Sequence, residues 1–308
     1  MRQQALDMVH ELARRDSRVV FIGSDLGPGV LDGMRREFPD RFFMEGVSEA
    51  NIIGMAAGLA MDGYIPYVNT IATFLTRRCY EQLAIDLCLH NLPVRLISNG
   101  GGMVYAPLGP THLATEDLAI VRALPNMSVV APADETEMIR MMGVSLDLRG
   151  PLYIRVGKGN EPVVTGHVPD FAFGKAVPLR SGRDVVLIST GAQTGQTLKA
   201  ADLLAEAGLS AGLLHLPTVK PLDRDAILAA AVATPLLVSV EEHTLIGGLG
   251  SAVADVLADA GVLKPLLRLG LPDAYPTGYG SQEYLLGQAG LLPGQIAARV
   301  QERLATLS

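Results

Sequence analysis

Short apolar runs alternate with helical stretches along the whole chain, and this alternation is the strongest constraint on its fold. Residues 18–24 (RVVFIGS) form a β-branched and aromatic run that ends in small residues. Residues 64–69, 94–98, 128–131 and 152–156 have the same character. Between them, residues 3–15, 48–61, 73–90, 116–123 and 134–146 carry apolar side chains at helical spacing, with Ser48 placed to cap its helix. Strands that are apolar on both faces and separated by helices build parallel sheets covered on both sides. The pattern restarts after residue 182. Strands are expected at 184–190, 211–215, 236–240 and 265–269, and helices at 192–207, 223–233, 247–260, 282–289 and 293–305. Residues 157–182 are punctuated by glycine and proline and read as a linker. The expectation is an α/β chain of two doubly wound domains, 1–165 and 183–308, joined by a linker over 166–182.

Composition narrows the function. The 308 residues include 25 Lys and Arg against 32 Asp and Glu, a net charge of −7, and 49% are hydrophobic. Global disorder is excluded. With no basic run to neutralise a phosphate backbone, no nucleic-acid partner is expected. The uncharged apolar stretch 226–240 is too short for a hydrocarbon core of roughly 30 Å, so no membrane partner is expected. The polar N-terminal helix has no apolar signal region, which predicts a cytoplasmic protein. Cys79 and Cys88, nine positions apart in one expected helix, would lie about 13 Å apart along its axis. They are read as buried free thiols. Six scattered histidines form no metal-ligand spacing.

Ligands of such sheets bind beyond the carboxyl ends of strands. That rule points to Ser24–Val30, to 69–77, to 99–112 and to 241–250. Glu49 opens an apolar helix, IIGMAAGLAM, that offers almost nothing polar around it. A first-turn acid favoured by the helix dipole is the plain alternative. Phe74 follows a strand and by itself reads as core. His112 sits in a polar loop, GPTHLATED, that is a poor core environment. Asp25 is a turn former or a ligand contact. GGLG at 247–250 reads as a structural turn rather than a phosphate cradle. Met61–Asp62–Gly63 with Asn91 nearly matches the GDG…NN motif that binds Mg²⁺ and thiamine diphosphate. Met61 replaces the first glycine and Leu92 follows Asn91, so this is read as a turn.

Taken in order, several stretches resemble the C-terminal half of transketolases and of 1-deoxy-xylulose-5-phosphate synthases. They are FIGSDLGPG, RFFMEGVSEANIIGMAAGLAMDGYIPYV, TIATFLTRRCYEQL, GPTHLATEDLAIVRALPNMSVVAP, LLHLPTVKPLD and EEHTLIGGLG. The resemblance covers almost the whole chain. It implies a pyrimidine-binding domain followed by a transketolase C-terminal domain, and a thiamine diphosphate site shared with a partner. Glu49 matches the glutamate that hydrogen-bonds N1′ of the aminopyrimidine. Phe74 matches the aromatic that stacks on that ring, and Asp25 an acid near the cofactor. His112 matches a histidine that contacts substrate oxygens. Arg155 matches an arginine for the substrate's distal phosphate, and Arg77 a position at the cofactor that also reaches toward substrate.

Two departures stand out. Pro107 and Leu108 replace the acidic pair that often precedes Gly-Pro-Thr-His, and Gly29 stands where many transketolases hold the phosphate with serine. The length leaves no room for a third domain. The resemblance therefore implies an N-terminal transketolase subunit carrying GDG…NN as partner, in an α2β2 assembly. That subunit would hold the diphosphate and Mg²⁺ (or Ca²⁺). The implied function is transfer of a two-carbon ketol unit from an anionic ketose, such as a sugar phosphate, to an aldose. The β subunit of a 2-oxo acid dehydrogenase E1 component, a synthase-like carboligase subunit and a non-catalytic interaction subunit are the alternatives. Simple NAD binding lacks GxGxxG.

Overall fold

A computed structural model describes residues 1–24 and 29–307. Two parallel-dominated sheets, each covered by helices on both faces, form two α/β domains. The first sheet contains β1 (Val19–Gly23), β2 (Phe42–Met44), β3 (Ile65–Ile71), β4 (Arg95–Asn99), β5 (Ser128–Val130) and β6 (Leu152–Val156). The second contains β7 (Val177–Arg180), β8 (Val185–Ser189), β9 (Ala211–His215), β11 (Leu236–Thr244) and β12 (Leu266–Leu271). A short strand, β10 (Thr218–Lys220), crosses back and pairs antiparallel with β5. The first sheet therefore runs β10-β5-β6-β4-β3-β1-β2, and the second β12-β11-β8-β9-β7.

The central strands are buried on both faces, which is why they read as unbroken apolar runs. On one face of the first sheet, Ile52, Ile53 and Ala56 of the helix Glu49–Met61 pack with Val68, Leu96 and Val129. On the other, Leu6 and Val9 of the helix Arg2–Arg15 meet Met138 and Met141 of the helix Glu135–Ser145 over Phe21 and Ile154. In the second domain, Ala200 and Leu204 pack with Ile296 and Val300 over Leu187 and Leu213.

Four features differ from expectation. The helix expected over 73–90 is broken. It runs Ala72–Arg77, turns at Arg78 and Cys79, resumes at Tyr80–Gln82 and continues as a π-helix over Leu83–Leu89. Cys79, with φ −113° and ψ 12°, leaves the helical region and makes the break. Ser48 does not cap its helix, because its hydroxyl donates to the Glu45 carbonyl instead. The segment 157–182 is not all connection, since it supplies β7, which pairs antiparallel with β9. The segment 32–44, for which no element was expected, forms the helix Asp32–Glu37 and the edge strand β2.

Both cysteines are buried and free, and burial raises their thiols to about 12 at Cys79 and about 11 at Cys88. Asp62 ends the helix Glu49–Met61 and Gly63 takes φ +93°, a helix-to-strand turn. Among the described residues, no helix is long and apolar enough to cross a membrane.

Candidate active site

The site forms where β3 passes into the helix Ala72–Arg77, beside the first turn of the helix Glu49–Met61. The carboxyl ends of the central strands carry a buried polar layer. Ser24 Oγ donates to Thr70 Oγ1 at 2.6 Å, and Asn99 Nδ2 donates to Asn69 Oδ1 at 3.1 Å. Asn99 Oδ1 and Thr73 Oγ1 are buried without a partner among the described residues. Buried acceptors and hydroxyls of this kind are costly to leave unmet, so unmet ones mark places where a ligand or water belongs.

Glu49 is 5% exposed and lies at the dipole-favoured start of its helix. Its surroundings are not purely apolar. Arg78 Nη1 donates to Glu49 Oε2 at 3.2 Å, and the same guanidinium lies 3.8 Å from the Phe74 ring centroid. The His112 ring meets Phe74 edge-on at 5.2 Å between centroids. Glu49, Phe74 and His112, drawn from three segments, are thus brought together, and Arg78 joins them. Arg78 is not among the residues that the sequence singled out. Its spacing was the available signal, because Phe74 and Arg78 are four residues apart, where side chains on a helical turn meet. His112 sits on the short turn Pro110–His112, with Nδ1 2.9 Å from Thr111 Oγ1. Its Nε2 has no hydrogen-bond partner among the described residues.

Arg77 lies in the same turn but is already engaged. It pairs with Glu116 through both Nε and Nη2, the latter at 2.8 Å from Oε2. Burial would raise the Glu116 carboxyl, yet the hydrogen bonds from Arg77 and Thr115 hold it below its usual value.

Arg155 is placed elsewhere. It is 7% exposed, with Nε and Nη2 forked onto Asp117 at 2.8 and 2.9 Å. Nη2 also donates to the carbonyls of Ala114 and Glu242. Burial works to lower its pKa, but the Asp117 carboxylate overcomes this and raises it. Ser98 donates to the Tyr153 hydroxyl, which donates to Asp117. This network ties β4 and β6 to the loop that carries His112 and to β11. None of its members belongs to the Glu49–Phe74–His112 cluster. Asp25 lies outside the described residues. Gly29 takes φ +81°, a conformation that suits glycine far better than serine.

The GGLG turn is not an open phosphate cradle. Glu241 fills it, accepting the N–H groups of Leu249 at 2.6 Å and Gly250 at 2.8 Å. Burial holds the Glu241 carboxyl up at about 7. Burial also lowers His243, whose Nδ1 donates to the Thr244 carbonyl while Nε2 accepts from Ala119 N–H, the pattern of a neutral ring.

The transketolase pyrimidine-binding domain family matches residues 1–163, and the transketolase C-terminal domain family matches residues 174–296. A putative transketolase C-terminal section from Methanocaldococcus jannaschii is 34% identical over 307 residues, covering 99% of this chain and 96% of that protein. A 1-deoxy-D-xylulose-5-phosphate synthase from a Synechococcus strain is 37% identical over 298 residues, covering 95% of this chain and 46% of the synthase. The chain thus spans about half the length of such synthases. Among solved structures, a split-gene transketolase described as an inactive β4 tetramer superposes with a TM-score of 0.91 at 33% identity, covering 99% of this chain and 98% of that one. A transketolase from Pichia stipitis shares the fold at a TM-score of 0.82 and 19% identity, with 46% of its chain covered.

Proposed function

The chain belongs to the transketolase family, and from that premise we propose that it is the pyrimidine-binding and C-terminal half of a thiamine-diphosphate-dependent ketol transferase. The observation that carries this reading is the slot between Glu49 and Phe74. A flat, N–H-bearing group already spans it: the Arg78 guanidinium lies on the ring and donates to the carboxylate. An aminopyrimidine offers the same two features, a π face and nitrogens along one edge. The residues present therefore fit the cofactor's pyrimidine ring.

In this reading Glu49 holds a proton against the ring nitrogen N1′, in a buried position where water competes poorly. Phe74 stacks on the ring, next in sequence to Thr73, whose buried hydroxyl has no partner among the described residues. When bound, thiamine diphosphate supplies the electron sink for the two-carbon unit. His112 presents Nε2 to the substrate's oxygens from beside Phe74. Arg77 meets an anionic substrate terminus by exchanging Glu116 for it, since a guanidinium fork suits phosphate or sulfonate as well as carboxylate. Arg155 serves the scaffold rather than the phosphate. Asp25 remains a proposed cofactor neighbour.

The diphosphate and Mg²⁺ (or Ca²⁺) are assigned to a partner, an N-terminal transketolase-type subunit carrying GDG…NN, in an α2β2 assembly in the cytoplasm. The near-complete coverage of the split-gene transketolase chain supports this arrangement, as does the half-coverage of the synthases. A synthase-like carboligase subunit is the second reading, favoured by an identity of 41% to a 1-deoxy-D-xylulose-5-phosphate synthase from Thermomicrobium roseum.

The test is turnover by the chain mixed with its partner, with and without thiamine diphosphate. Ketol transfer from a ketose phosphate is expected, and condensation of pyruvate with an aldose phosphate would favour the synthase reading. Glu49→Ala should lose most turnover while still assembling. Full activity in that variant overturns the assignment.

A further inference from the structure

We infer that Arg78 is a placeholder for the cofactor's pyrimidine ring and has to leave the slot before the ring can enter. The inference rests on the cofactor reading above and adds to it a residue that competes for the site.

Three observations meet at this residue. The guanidinium covers the Phe74 ring at 3.8 Å, the distance of a stacked group. It also makes the one side-chain hydrogen bond to Glu49 among the described residues, at 3.2 Å. Glu49 is 5% exposed whereas Arg78 is 49% exposed, so the acid is fixed in the wall and the base reaches in from solvent. The broken helix makes this possible. The chain leaves helical geometry at Cys79, and Arg78 caps the short helix Ala72–Arg77 with its side chain folded back over the residue four before it.

The physical role follows from burial. A carboxylate nearly out of water and without a partner is unfavourable. Arg78 supplies that partner while the slot holds no ring. It gives Glu49 a hydrogen-bonded partner and keeps the space beside Phe74 filled by something flat. A pyrimidine ring cannot stack on the same face while the guanidinium lies there, so entry exchanges one planar donor for another. The half-exposed side chain lets Arg78 swing out without unfolding anything. Apparent cofactor affinity is then reduced by the fraction of molecules in which Arg78 occupies the slot. A half-exposed ion pair together with a cation–π contact corresponds to a competition of about three- to tenfold.

Two measurements test this. In the chain alone, the Arg78 δ protons should be shifted upfield by the Phe74 ring in nuclear magnetic resonance spectra, and Phe74→Leu should remove the shift. In the chain assembled with its partner subunit, calorimetric titration with thiamine diphosphate and Mg²⁺ should show Arg78→Ala binding about three- to tenfold more tightly than the unaltered protein. The Arg78 signals should move as the cofactor binds. Equal or weaker binding by Arg78→Ala, or Arg78 signals that stay put on saturation, would overturn the placeholder role and leave the cofactor reading standing. Absence of thiamine diphosphate binding in both proteins would overturn the cofactor reading, and the placeholder with it.

Discussion

Replacing Asp117 with alanine should cost about 3–5 kcal/mol of unfolding free energy, the usual penalty for breaking one side of a buried ion pair. Asp117 is fully buried and accepts three hydrogen bonds, two from Arg155 and one from Tyr153. Its removal leaves the Arg155 guanidinium buried with hydrogen bonds only to the carbonyls of Ala114 and Glu242, at 3.2 and 3.0 Å. It also strips the Tyr153 hydroxyl of its acceptor. Arg155→Met alone should cost a similar amount, by stranding the carboxylate. The double variant Asp117→Leu, Arg155→Met removes both charges and should recover at least about half of either single loss, because the desolvation cost of the pair disappears with it. Urea unfolding followed by far-ultraviolet circular dichroism measures all four corners of this cycle. A loss below about 1 kcal/mol for Asp117→Ala, or a double variant that costs the sum of the two singles, would refute the reasoning. In the chain mixed with its proposed partner subunit, a large rise in KM for Arg155→Met with stability unchanged would return Arg155 to the substrate site.

Further outcomes are expected. Gly102→Ala should destabilise by about 2 kcal/mol or more, since φ is +67° and a Cβ there would lie 2.7 Å from the Glu242 side chain; denaturant midpoints decide it. Glu241 binds its proton more tightly folded, at about 7, than at its ordinary 4.5. The stability it contributes is therefore fully present below pH 4.5 and is lost as pH rises to about 7. Unfolding measured across that window should show a flatter pH dependence in Glu241→Gln. Cys79 and Cys88, buried with thiols at about 12 and 11, should resist Ellman's reagent in the native protein and both react in guanidinium.

The legibility of the site differed residue by residue. Glu49 could be found because an acid at the head of an apolar helix is a local pattern. His112 could be ranked because its polar loop follows a strand, whereas Phe74 by itself reads as core and takes a site role only from the resemblance. Their meeting at 5.2 Å could not be read from either segment alone. The pairing of Arg155 with Asp117 was hidden for a related reason. An arginine at the end of a buried strand needs a partner, and its partner is 38 residues away in sequence. The break at Cys79 was missed because periodicity over 73–90 continues through it, and only the backbone angles show the turn.

The sequence by itself determined the alternation of buried strands and helices, the two-domain count and the turn roles of Gly63 and GGLG. These depend on side chains within a few residues of each other, where propensity and periodicity act directly. Tertiary structure decided the return of Thr218–Lys220 into the first sheet, the pairing of β7 with the second, the inward turn of Arg155 and the seating of Arg78 between Glu49 and Phe74. Each of these joins groups from separate segments or fixes the direction of a long side chain. Such choices are set by which charges and edges find partners once the core has packed, a competition that no local pattern records.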